Sequence, residues 1–219
     1  MLIASTIVVG VDVGGPRKGF HAVALLDGDY HDKTATLKAA ELEEWCLKLD
    51  ARVIGIDAPC RWSTTGRARP AERALSTEGI FCFATPSKDT AETKDFYRWM
   101  RAGAELFRLI EQNYPLFDGN VVTMEEKACF ETFPQAVACA LAGKIVSAKH
   151  KRTDRLELLR QAGMKTVALT NIDTIDAALC ALTAYHFLDG AIETYGDAAT
   201  GFIVIPRTRK NKAFSLLPR

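Results

Sequence analysis

Ile7 to Gly15 reads IVVGVDVGG: apolar residues and one glycine carry the chain straight into Asp12, and a glycine pair then halts it. A short apolar run bounded by glycines, rich in β-branched residues, predicts a strand buried on both faces. Asp12 therefore sits on a central strand, where a carboxylate is costly unless it is hydrogen-bonded, paired or bound to a cation. An aspartate that merely caps the turn at Gly14 and Gly15 accounts for one such residue. Val53 to Pro59, VIGIDAP, repeats the form, with Asp57 at the end of an apolar run and Pro59 stopping the strand.

Working outward, Gly14 to Gly19 reads as a turn with Arg17 and Lys18 at its tip, Phe20 to Leu26 as a second strand, and Lys33 to Ala39 as a third. Glu41 to Leu49 has helical spacing and an acidic first turn. Strand, strand, strand, helix, strand predicts a mixed sheet, antiparallel at one edge and parallel where the crossover returns the chain beside the first strand. Asp12 and Asp57 then meet at corresponding strand ends, where α/β proteins place their sites. Residues 60–125 read as a helical insertion after the fourth strand. It opens with CRWSTTGRARP, a helix starts near Pro70, and a longer one runs from about Glu92 to Asn113, with Phe96, Trp99, Met100, Gly103, Leu106, Phe107 and Ile110 spaced for the core. Lys127 to Thr132 is a fifth strand delivering Glu131, Phe133-Pro134 opens a helix that Gly143 closes, Arg155 to Ala162 is a polar helix, and Gly201 to Pro206 is a short closing strand. The expected architecture is a mixed five-stranded α/β sheet flanked by helices, one domain over 1–219, ending in a basic tail.

Asp173 and Asp176 lie three apart at the head of a helix of small and apolar residues, DTIDAALCALTAYHFL, and so share a face. An N-cap and a first-turn acid account for such a pair in one way. With Asp12, Asp57 and Glu131 at strand ends, the chain also supplies five acids that the sheet brings together. Two carboxylates about 4 Å apart repel by about 4 kcal/mol at an effective dielectric near 20, so a cluster must hold protons or cations. All-oxygen ligation suits Mg2+ or Mn2+ and argues against zinc. Two such ions about 3.5 to 4 Å apart are an arrangement for in-line phosphodiester cleavage.

The motifs VVGVDVGG, IDAP, GRARPAER, FATPS, ETFP and DTIDAALCALTA together resemble domain-of-unknown-function family 429, whose members are regarded as predicted nucleases of RNase H-like fold. The last motif also resembles the DxxD helix of RuvC-type Holliday-junction resolvases. That resemblance implies metal-ligating and catalytic roles for Asp12, Asp57, Asp173 and Asp176. The RuvC pattern usually carries Glu where this chain has Asp57, and Glu131 lies outside the usual RNase H set.

Lys+Arg 28 against Asp+Glu 27 gives net charge +1, so a nucleic-acid partner must be read from local patches. Arg17, Lys18, Arg61, Arg67, Arg69, Arg73 and Lys149 lie in connections on the site side and are the expected phosphate contacts. On a competing account, Arg69 and Arg73 pair with Glu72, Glu78 or the sheet acids and hold the insertion down. Six scattered cysteines with no CxxC pair read as reduced thiols of a cytoplasmic protein, and no segment reads as a membrane span. The leading expectation is a metal-dependent nuclease acting on DNA or RNA. Alternatives are a non-catalytic binding module and an actin-like phosphotransferase, the latter lacking a second glycine-rich phosphate loop.

Overall fold

In a computed structural model, which describes residues 5–120, 123 and 126–207, the apolar stretch forms β1 (Ile7–Val13). β2 (Phe20–Leu26) and β3 (Asp29–Thr36) follow as antiparallel neighbours. α1 (Ala39–Lys48) crosses over, and β4 (Val53–Asp57) returns parallel to β1. Three helices, α2 (Pro70–Thr77), α3 (Lys88–Thr93) and α4 (Arg98–Ile110), precede β5 (Ala128–Glu131). α5 (Pro134–Ala142), α6 (Lys151–Gln161) and α7 (Ile172–Leu188) lead to a last hairpin, β6 (Ile192–Asp197) and β7 (Gly201–Pro206).

The sheet has seven strands in the order β3-β2-β1-β4-β5-β7-β6, not the five expected. β7 joins β5 in parallel through Glu131 and Ile203, and β6 pairs antiparallel with β7 from Ile192 to Asp197. β6, IETYGD, is mostly half-buried and carries little apolar signal. Its partner strand makes it a strand, which a hydrophobic pattern alone does not register. The third strand also starts earlier than expected, since the hairpin pairs Asp29 with Leu26. The long helix expected from Glu92 to Asn113 is broken: Lys94 is extended (φ −118°, ψ 124°), a 3-10 turn covers Asp95–Tyr97, and α4 begins only at Arg98. Met100, Gly103, Leu106, Phe107 and Ile110 of α4 are buried as their spacing predicts, but Phe96, ahead of the helix, is exposed.

Alternate residues of each strand feed two cores. Val9, Val11, Val13, Ile54 and Ile56 pack with α1 and α4 on one face, while Val8 and Val53 pack with α2, α5, α6 and α7 on the other. By the same alternation Gly10, Asp12, Gly55 and Asp57 face α7. A Cβ on Gly10 would stand 2.0 Å from the Ala181 nitrogen and 2.1 Å from the Ala177 oxygen, and one on Gly55 would stand 2.8 Å from the Cys180 oxygen. The two glycines thus let the α7 backbone down onto β1 and β4. Two residues further along each strand stand Asp12 and Asp57, and in the turn that leads to Ala177 stand Asp173 and Asp176.

All six cysteines are free and five are buried. Among the described residues no helix is long and apolar enough to cross a membrane. The basic tail beyond Arg207 lies outside the described residues.

Candidate functional site

Parallel pairing of β1 with β4 puts Asp12 directly opposite Asp57 in register. α7 is started not by Asp173 but by Asn171, whose Oδ1 accepts from the Thr174 backbone N–H at 2.8 Å while the Thr174 side chain reaches back to the cap. That cap leaves both aspartates of the first turns free to face the strand ends. Asp12, Asp57, Asp173 and Asp176 line one open cavity of about 260 Å³, together with Lys18, Lys151, Arg155 and Gln135.

The four acids fall into two kinds. Asp173 accepts a hydrogen bond from Lys18 Nζ at 2.8 Å, with His21 Nε2 3.9 Å from its other oxygen. Asp176 is buried against the Arg155 guanidinium, which also donates from Nη2 to Gln135 Oε1 at 2.7 Å. Among the described residues no ion pair reaches Asp12 or Asp57. Burial, then Asp176 and Asp173, push the Asp12 carboxyl up to about 7. Asp57 is also held well above the carboxylate range, by burial first and then by Asp12 and Asp176. Burial raises Asp176 too, and Arg155 opposes it. The hydrogen bond to Asp173 raises Lys18.

Among the described residues no three His, Cys, Asp or Glu side chains stand close enough to hold a metal ion between them, and two of the four acids here are engaged by Lys18 and Arg155. The pair without an ion partner, Asp12 and Asp57, is a two-carboxylate oxygen set with no His or Cys on the cavity wall. This donor set fits Mg2+ or Mn2+, ions that keep several waters and take one or two carboxylates plus substrate phosphate oxygens.

Glu131 does not line this cavity, although it shares a smaller one with Asp57. Its two oxygens accept from Arg69 Nη2 at 2.6 Å and Nη1 at 2.8 Å, and Oε2 also accepts from the Cys60 N–H at 2.8 Å. Arg69, 2% exposed, is shared with Glu72, which takes its Nε at 2.8 Å. Glu72 in turn accepts from the Thr85 N–H at 3.1 Å. Both residues therefore leave the expected site. Glu131 is a buried carboxylate satisfied by a guanidinium, and Arg69 ties the insertion to β5 and is buried out of reach of a phosphate. Arg61 is paired twice with Glu111, at 2.7 and 2.8 Å. Arg73 donates to the Ala68 carbonyl. Arg17, Arg67 and Lys149 are exposed. Of the expected phosphate contacts only Lys18 lines the acid cavity, where Lys151 and Arg155 join it. Arg155 was not among the expected contacts, since it stands in a strongly polar helix where a charge carries no signal of its own. The available signal was its place one turn after Lys151, which directs both cations to one side.

The fold and this cavity define an α/β protein with a carboxylate pair at the C-terminal ends of neighbouring parallel strands and a helix-borne acid pair above it. Residues 10–200 match the model of the family described as "Protein of unknown function (DUF429)", and the chain belongs to that family. No curated protein matches the chain. Among solved structures, Thermus thermophilus RuvC is 15% identical with a TM-score of 0.46, over 84% of this chain and 97% of that one. T. thermophilus RuvC in complex with Holliday junction substrate is 15% identical with a TM-score of 0.41, over 84% and 96%.

Proposed function

We propose that the cavity belongs to a nuclease of RNase H-like fold that hydrolyses a phosphodiester of nucleic acid with a divalent cation, Mg2+ or Mn2+, held by Asp12 and Asp57. The observation that carries this reading is the in-register pair itself: two half-buried carboxylates stand side by side on neighbouring strands, and among the described residues no ion pair reaches either. The order β3-β2-β1-β4-β5, antiparallel through β1 and parallel beyond it, supports the fold half of the reading. When bound, such an ion polarises a phosphoryl oxygen and lowers the pKa of water. The chain's own cations serve the substrate. Lys18 and Lys151 stand at the cavity wall to neutralise phosphate charge, and Arg155, fixed by Asp176 and Gln135, offers a rigid guanidinium beside them.

Cleavage of labelled single-stranded and duplex oligonucleotides, with Mg2+ or Mn2+ and with EDTA, tests the reading. Asp12→Asn and Asp57→Asn should each lower the metal-dependent rate by about a hundredfold or more with the fold retained. Undiminished cleavage by either variant contradicts it. Binding of metal and nucleic acid without cleavage would make the chain a binding module.

A further inference from the structure

The segment that follows Asp57 carries a feature the acid cavity does not use. Phe83 and Phe96 are 65% and 58% exposed, yet they lie edge to face with centroids 5.4 Å apart. Tyr97 continues the row, its ring 5.1 Å from Phe96. Aromatic rings set in contact at the surface mark a place where something apolar and flat binds. The row adjoins the acids: Phe83 and Trp99 wall a small cavity of about 50 Å³ whose lining includes Asp57, so Asp57 is common to this cavity and to the acid cavity. Cations flank the row. Lys94, two residues before Phe96, is exposed, and so is Arg67. The Arg67 turn is tied to the Phe83 segment by Ser63, whose N–H donates to the Pro86 carbonyl at 3.0 Å and whose Oγ donates to the Arg67 carbonyl at 2.6 Å.

We propose that Phe83, Phe96 and Tyr97 form a stacking platform for unpaired nucleobases, so that the acid site takes single-stranded nucleic acid, or a strand with its bases splayed out, in preference to continuous duplex. This rests on the nucleic-acid reading of the acid cavity but not on cleavage. Bases within a duplex have both faces covered, whereas unpaired bases offer theirs to aromatic rings regardless of sequence. A phosphodiester lying over Asp12 and Asp57 places its neighbouring nucleotides on the Asp57 side against these rings, with Lys94 and Arg67 available to the backbone. A protein partner would account for the exposed rings but not for the wall that Phe83 shares with Asp57.

Fluorescence anisotropy of fluorescein-labelled oligothymidylate, and of the matching duplex, tests this in EDTA, where no metal-dependent cleavage intervenes. The wild type should bind the single strand more tightly than the duplex. Phe83→Ala with Phe96→Ala should lose about tenfold or more in single-strand affinity, with duplex affinity and melting temperature unchanged, and Phe83→Trp should keep the wild-type affinity. If the double variant melts early, Phe83→Leu, which keeps an apolar side chain without a π face, should show the same selective loss. Equal single-strand affinity in wild type and double variant overturns the platform, and intact Mn2+ binding would then leave the acid-site reading standing. A wild type that binds neither oligonucleotide overturns the platform together with the nucleic-acid reading. A fall in sedimenting mass on mutation, with oligonucleotide affinity unchanged, assigns the rings to self-association and overturns it as well.

Discussion

Asp12 shows what the site costs the fold. Its carboxyl, pushed from 3.8 up to about 7 mainly by burial and then by Asp176 and Asp173, holds its proton more tightly in the folded state than in the unfolded chain. Between about pH 4 and 7 the folded protein therefore binds more protons, and the metal-free protein loses stability as pH rises through that window. The shift from 3.8 to about 7 corresponds to at most about 4 kcal/mol. Asp12→Asn removes the charge and keeps the shape. In EDTA it should melt above wild type at about pH 8, with the gap closing toward pH 5. Thermal melts of the two proteins across that range check this, and a gap independent of pH contradicts it. Added Mg2+ should raise the wild-type melting temperature more than the variant's.

At the scale of elements, contact between α7 and the two central strands places the helix-borne acids over the strand-borne ones. Gly10→Ala puts a methyl 2.0 Å from the Ala181 nitrogen, and backbone cannot yield as a flexible side chain can. The variant should lose about 1–3 kcal/mol or more in urea unfolding, as overpacked cores do, and should bind Mn2+ less well because β1 shifts two residues before Asp12. Gly15, where an added Cβ meets nothing within 4 Å, is the control. Gly15→Ala should stay within about 0.5 kcal/mol of wild type. The insertion after β4 is fastened by Arg69, buried between Glu72 and Glu131. Arg69→Met leaves two buried carboxylates without their guanidinium and should cost about 3–5 kcal/mol. It should leave the salt dependence of oligonucleotide binding unchanged, since no phosphate contact is lost. A reduced salt slope in a protein of unaltered stability would restore Arg69 to the substrate side.

For the whole molecule, what could be read in advance was what hydrophobic pattern encodes. The runs at Ile7, Phe20 and Val53 became β1, β2 and β4, and the small-residue helix after Asn171 became α7. The order of these elements placed Asp12 beside Asp57. The stretch IETYGD remained hidden, because β6 owes its form to a neighbour across the sheet. The fates of the arginines also remained hidden. Spacing says that Arg69 and Arg155 are cationic, but only packing decides that one is locked to Glu131 while the other reaches Asp176. A usable signal lay unread in the glycine two residues before each strand-end aspartate, GVD and GID, which marks the face where a helix comes down beside the acids. The proposed function requires that Asp12 and Asp57 share a divalent cation. Titration of the purified protein with Mn2+, followed by electron paramagnetic resonance, tests that most directly. About one ion per chain should bind, displaced by Mg2+, with affinity falling at least about tenfold in Asp57→Asn. A wild type that binds no Mn2+, or an Asp57→Asn variant that binds it equally well, would contradict it.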